Sequence, residues 1–165
     1  MLSMGIDPGT AIVGYGLVRE HHDGSLEAVA YGVIRTPSDR PMPERLAQIY
    51  TELSQIINTY SPTIGAVEEL FFAKNVTTAI TVAQGRGVIL LALQNAGVPI
   101  YEYKPNFIKQ SISGYGGADK PQVQEMVRIL LNLETIPKPD DAADALAIAI
   151  VNIQNSRYQT LQDDA

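Results

Sequence analysis

Residues 4–10 read Met4-Gly-Ile-Asp7-Pro-Gly-Thr10, a short apolar run that ends on a carboxylate and then turns at Pro8-Gly9. An apolar run bounded by Pro-Gly has the form of a buried strand. A carboxylate at its tip is costly to bury unless something compensates its charge. The segments on either side say what sheet that strand belongs to. Residues 2–7 are the first strand, and Val13–Arg19 (VGYGLVR) is a second, its two glycines marking tight packing or a bulge. Asp23-Gly24 is a hairpin signal leading into a third strand, Leu26–Arg35. These three predict an antiparallel meander. Pro41–Tyr60 carries Leu46, Ile49, Leu53, Ile56 and Ile57 at helical spacing, with Pro43 near the first turn. Ile64–Glu69 is a short buried strand, Thr77–Ala96 a long helix closed by Gly97, and Val98–Tyr103 another strand. Lys104–Ile112 is a short helix, Ser113–Ala118 (SGYGGA) a mobile loop, and Lys120–Leu133 and Asp141–Gln154 are helices. Strand–helix–strand crossovers make their strands parallel and lay the helix on the sheet. The order predicts an α/β fold: a five-stranded mixed sheet, an antiparallel three-strand meander plus two parallel strands, flanked by helices. One domain spans residues 1–156, with a flexible C-terminal tail over 157–165.

Hydrophobic residues make up 45% of the 165, enough for a packed core, and the sequence shows no apolar run long enough to span a bilayer and no signal-peptide pattern. A cytoplasmic location is the resulting expectation. With no cysteine, disulfides, thiolate metal sites and a cysteine nucleophile are excluded. A net charge of −6 argues against nucleic acid, but its distribution argues the other way. Residues 70–130 hold six basic residues (Lys74, Arg86, Lys104, Lys109, Lys120, Arg128) against three acidic, a net +3, while the remainder holds six against fifteen, a net −9. A basic middle in an acidic protein is a candidate phosphate-facing surface.

Sites in open α/β sheets lie outside the carboxyl ends of parallel strands. If Ile64–Glu69 runs parallel to the first strand, Asp7 and Glu68 emerge at one edge. Neighbours in a strand point to opposite faces, so only one of Glu68 and Glu69 joins Asp7. Lys138-Pro-Asp-Asp-Ala-Ala-Asp144 puts three aspartates at the head of a helix. Asp140, directly after Pro139, is the natural N-cap, leaving Asp141 and Asp144 to share a face three residues apart. Asp144 sits a turn inside the helix and precedes an almost wholly apolar run, where a carboxylate needs a partner. Asp7, Glu68, Asp141 and Asp144 would repel one another unless cations join them. Hard oxygen ligands select Mg²⁺ or Mn²⁺. Two such ions about 3.5–4 Å apart form the clamp of phosphodiester hydrolysis, one activating water and the other stabilising the leaving oxygen.

The ordered set Gly5-Ile-Asp-Pro-Gly-Thr10, Val13-Gly-Tyr-Gly16, Glu68 with Phe71-Phe72-Ala-Lys-Asn75, Gln84-Gly-Arg-Gly87, Lys120 with Gln122-Val-Gln124, and Asp141-Ala-Ala-Asp-Ala-Leu-Ala147 resembles the RuvC Holliday-junction resolvases over nearly the whole chain. The resemblance implies an RNase H-like fold, a homodimer, Mg²⁺-dependent cleavage of four-way junction DNA, and partnership with the RuvA–RuvB branch-migration proteins. Position by position it implies Asp7, Glu68, Asp141 and Asp144 as catalytic metal ligands, with two Mg²⁺ per site and Mn²⁺ as a substitute. It places Phe71, with Phe72 as competitor, against junction bases, and Lys74, Asn75, Arg86, Lys109 and Lys120 near the DNA. The products implied are a 5′-phosphate and a 3′-hydroxyl. His21 and His22 read as solvated hairpin residues. The helix from Thr77 to Ala96 is apolar over more than one face, which predicts a share in a dimer interface.

Two other classes fit part of the sequence. An actin-like ATPase or sugar kinase also uses an Asp-x-Gly-Thr turn, but needs a second subdomain and phosphate loop for which 165 residues leave no room. A non-catalytic junction-binding module would use the basic middle and the aromatics alone. The related YqgF-type nucleases are typically shorter, and the Phe71–Asn75 stretch argues against them.

Overall fold

The computed structural model describes residues 1–70 and 76–163. The elements are β1 (Leu2–Asp7), β2 (Ile12–Glu20), β3 (Leu26–Arg35), α1 (Met42–Tyr60), β4 (Ile64–Glu68), α2 (Val76–Asn95), β5 (Ile100–Tyr103), α3 (Pro105–Ser113), α4 (Lys120–Leu130) and α5 (Asp140–Asp163). They form one mixed sheet in the order β3-β2-β1-β4-β5. β1, β2 and β3 are the antiparallel meander, and β4 and β5 run parallel to β1. This is the RNase H-like arrangement that the sequence predicts.

Alternation along the strands divides the core in two. Leu2, Met4, Ile6 and Val67 face one layer with Ile49, Leu53, Ile57, Ile89 and Leu93 of α1 and α2. Ala66 packs in the other layer, with Leu146, Ile148 and Ile150 of α5 and with residues of α3 and α4. Ser3, Gly5, Asp7 and Glu68 therefore share the α5 side. The last matched pair of β1 and β4 is Ile6 opposite Val67, so Asp7 and Glu68 follow on adjacent strands. α5 lies directly on strand backbone. A Cβ at Gly5 would stand 2.1 Å from the Ala145 carbonyl oxygen, and one at Gly14 2.0 Å from that of Asp141. Only glycine admits so close an approach.

Asn152, fully buried on α5, donates to Ser3 Oγ at 3.1 Å and accepts from the Tyr103 hydroxyl at 2.9 Å. Four strand residues from Ser3 to Asp7 rise about 13 Å. Eight helix residues from Asn152 back to Asp144 rise about 12 Å. The buried amide thus sets the register that brings Asp144 level with Asp7.

Four expectations change. α5 does not end near Gln154 but continues to Asp163. Arg157 pairs with Glu20 and donates to the Gly24 carbonyl at 3.2 Å, tying the helix to the β2–β3 hairpin. Asp140 is not the N-cap. The Pro139 carbonyl accepts from the Ala142 and Ala143 amides at 3.0 and 3.4 Å, and the Asp140 carboxylate turns to Lys138 Nζ at 3.1 Å. The last strand starts at Ile100 rather than Val98, because Gly97 turns in the left-handed region (φ +70°) and Pro99 follows. Finally, α2 is by length and composition apolar enough to cross a membrane, which its glycines, threonines and single arginine conceal in the sequence. In the fold its Gly85, Ile89, Ala92 and Leu93 are buried, and it packs against α1 and β5.

Candidate active site

Each acidic side chain reaches the site from a different stretch. Asp7 ends β1, Glu68 ends β4, and Asp144 lies one turn into α5, the helix held against both strands by its small residues. Lys120 opens α4, whose start is fixed by a capping box: Asp119 accepts from the Gln122 amide at 2.9 Å while the Gln122 side chain accepts from the Asp119 amide at 2.9 Å. Together Asp7, Glu68, Asp144, Lys109 and Lys120 line one pocket of about 180 Å³, with Ile108, Val123 and Ile148 among its apolar walls. The alternation of β4 decides between the doubled acids, since Glu68 enters the pocket and Glu69 does not.

The electrostatics show what three acids in a partly dry pocket cost. Burial, with the charges of Asp144, Glu68 and Asp141 added, pushes the Asp7 carboxyl up to about 8 from 3.8; Lys120 offsets a smaller part. Burial and then Asp144 push Glu68 up, opposed by Lys109 and Lys120. Burial also raises Asp144, against the pull of its ion pair with Lys120 at 2.9 Å. Lys120 itself loses charge stability to burial, but the hydrogen bond to Asp144 and the surrounding acids outweigh that and hold its pKa above the ordinary value. Asp141 does not line the pocket; it acts on Asp7 and Asp144 from the rim.

Among the described residues no group of three or more His, Asp or Glu stands close enough together to hold a metal ion as placed. The Lys120 ammonium, held on Asp144, is the internal counter-ion at this point. The donor set still fits a hard divalent ion: carboxylate oxygens converging from three elements, with burial first and the neighbouring acids second holding the Asp7 carboxyl well above its usual range.

The sequence-predicted DNA contacts separate. Lys109 and Lys120 stand in the pocket. Phe71, Phe72, Lys74 and Asn75 lie outside the described residues. Arg86 is turned inward: its Nε donates to the Glu68 carbonyl at 3.1 Å and its guanidinium pairs with Glu102 of β5. Glu102 is the residue that sequence reading overlooked, and its one signal was its place near the carboxyl end of a parallel strand. His21 stays at the surface of the hairpin, bonded to Glu27 at 3.0 Å.

Comparison with known proteins covers the same stretches. The family profile described as Crossover junction endodeoxyribonuclease RuvC matches residues 3–152. The Crossover junction endodeoxyribonuclease RuvC of Chloroflexus aggregans is 60% identical over 150 residues, covering 91% of each chain. The solved structure of Thermus thermophilus RuvC superposes with a TM-score of 0.90 at 36% identity, over 97% of this chain and 98% of that one. T. thermophilus RuvC in complex with Holliday junction substrate gives 0.88 at 33% identity, over 96% of both. Since the match runs through every element that brings an acid to the pocket, the chain belongs to the RuvC family of crossover junction endodeoxyribonucleases.

Proposed function

We propose that this chain resolves four-way (Holliday) junction DNA in homologous recombination and repair, by paired symmetric nicks that leave a 5′-phosphate and a 3′-hydroxyl. The observation that carries the proposal is the meeting of Asp7, Glu68 and Asp144 in one pocket with the Asp7 carboxyl pushed up to about 8. Asp7, central among the acids, would hold Mg²⁺, with Glu68 and Asp144 completing the set and Asp141 at its rim; Mn²⁺ has the same preferences. When bound, such ions supply activation of the attacking water and charge neutralisation at phosphorus and the leaving oxygen. The remaining work falls to side chains. Lys109 and Lys120 draw the scissile phosphate to the pocket mouth. Water oxygen bonds to phosphorus as the bond to O3′ breaks, and the departing O3′ takes up a proton. Phe71, Lys74 and Asn75, which follow Glu68 in sequence, are assigned to junction bases and backbone, with Phe72 as the alternative aromatic.

A four-way junction has approximate two-fold symmetry, so two opposed cuts call for two sites related by an axis, and a C2 homodimer supplies them. Val76, Ile80 and Leu91 are exposed apolar residues of α2 and are assigned to that interface. The RuvA–RuvB complex is the expected partner in a bacterial cytoplasm.

The test is a synthetic four-way junction with a linear duplex as control, in Mg²⁺. The wild type should nick the junction alone. Asp7→Asn should bind it as well or better and cut on the order of 10³-fold more slowly, from loss of several kcal/mol of transition-state stabilisation. Normal cutting by Asp7→Asn would reject the site.

A further inference from the structure

We propose that Arg86 is a positioning residue for Glu68, holding the carboxyl end of β4 from α2 through Glu102, and is not a DNA contact. The inference rests on the reading of Glu68 as a metal ligand. Arg86 belongs to Gln84-Gly-Arg-Gly87, a motif for which the pocket itself gives no use. Only 16% of its side chain is exposed. The guanidinium is engaged at two points: Nε at the Glu68 carbonyl, 3.1 Å away, and its far end at the Glu102 carboxylate. The Glu68 carbonyl lies past the last β1–β4 pair, Ile6 with Val67; the strand end is matched to Tyr103 of β5, whose carbonyl accepts from the Glu69 amide at 2.8 Å, and the Arg86 bond adds a tie to α2 just where the Glu68 side chain must reach the pocket. Glu102 stands on the neighbouring parallel strand, opposite Val67. The planar fork of arginine can serve both acceptors at fixed geometry, which the single ammonium of lysine cannot.

An adjacent face of α2 touches the chain after Asp7. The Thr10 hydroxyl donates to the Thr81 carbonyl, and a Cβ on Gly85 would meet the Gly9 carbonyl oxygen at 2.4 Å. One helix therefore fixes both strand ends that carry the first two acids, through Thr81 and Gly85 on one side and Arg86 on the other.

Arg86→Lys and Glu102→Gln test the role. The readouts are the rise in melting temperature produced by Mg²⁺, the Mg²⁺ concentration giving half-maximal single-turnover nicking, and junction affinity against salt in Ca²⁺. Each variant should need about 10–100-fold more Mg²⁺ or cut more slowly by that factor, with a smaller Mg²⁺-induced thermal shift. Junction affinity and its salt slope should match the wild type. Exchanging the pair (Arg86→Glu with Glu102→Arg) should restore the melting temperature without the Mg²⁺ response, because nothing then reaches the Glu68 carbonyl. Three results overturn the proposal: a charge-removing Arg86→Gln variant reducing the salt slope by about one, as loss of a phosphate contact would; both Arg86→Lys and Glu102→Gln keeping the wild-type Mg²⁺ response; or the exchanged pair regaining full activity. Glu68→Gln is run beside them. If it nicks normally, the ligand reading fails; if it is inactive while the Arg86 variants are normal, the positioning role alone fails.

Discussion

Asp7 is held in an unfavourable electrostatic setting, and the effect has a sign. Its folded pKa, about 8, lies above the ordinary 3.8. A carboxyl raised in this way favours the fold fully below the unfolded value, and the contribution is lost as pH rises toward and through about 8. Without metal, the melting temperature should therefore fall between pH 4 and pH 8.5, beyond what Asp7→Asn shows. At pH 8 the metal-free Asn variant should melt higher than the wild type by about 4 °C or more. Mg²⁺ reverses the balance by displacing the proton, so its thermal stabilisation should grow from pH 6 to pH 8.5 in the wild type and vanish in Asp7→Asn. Scanning fluorimetry across pH, with and without Mg²⁺, reads both. At this scale the sequence was informative where position alone spoke. Asp7 and Glu68 end apolar strands, and Asp144 interrupts an apolar helix face. It was mute where a partner is needed: Arg86 looks like any surface cation until Glu102, from another strand, comes beside it.

The elements are governed by how closely backbones approach. Two glycines of α2 make the point inside one helix. Gly85 is buried with the Gly9 carbonyl in the way of a Cβ, whereas nothing stands within 4 Å of a Cβ at exposed Gly87. Gly85→Ala should destabilise the fold by about 1–3 kcal/mol through overpacking. Gly87→Ala should be neutral or stabilise it by about 0.5–1 kcal/mol, since alanine is the better helix former. Urea titrations of both variants check the pair. The sequence placed β1 and β3 and the bodies of the helices well, because their period and flanking turns are local. It stopped α5 early, because Arg157 finds Glu20 and Gly24 far back in the chain. It made Asp140 a cap, but the Lys138 ammonium two residues away takes up its carboxylate.

For the whole molecule, the meander followed by two crossovers leaves few sheet orders, and β3-β2-β1-β4-β5 is the one adopted. Surfaces were less legible. Of the basic residues in the middle of the chain, Arg86 pairs with Glu102, Lys120 with Asp144 and Arg128 with Glu125, none of which the composition shows. Apolar residues on α2 exceed what the core takes, with Ile80 and Leu91 each more than half exposed. A double variant, Ile80→Asp with Leu91→Glu, should sediment as a monomer and still melt in one cooperative transition, with a Tm that no longer depends on protein concentration. It should nick one strand of a junction at a time, where the wild type should cut both in one encounter. Sedimentation velocity and a supercoiled cruciform substrate, which linearises only on paired cutting, give the two measurements.

The bond between Asn152 and Ser3 also limits how this chain can vary in length. A residue inserted or deleted between Asp144 and Asn152 would swing one end by about 100° relative to the other. Either the buried amide or the acid would then face the wrong way. The helix can be lengthened or trimmed only beyond its anchored part, and the stretch from 144 to 152 does not admit resizing.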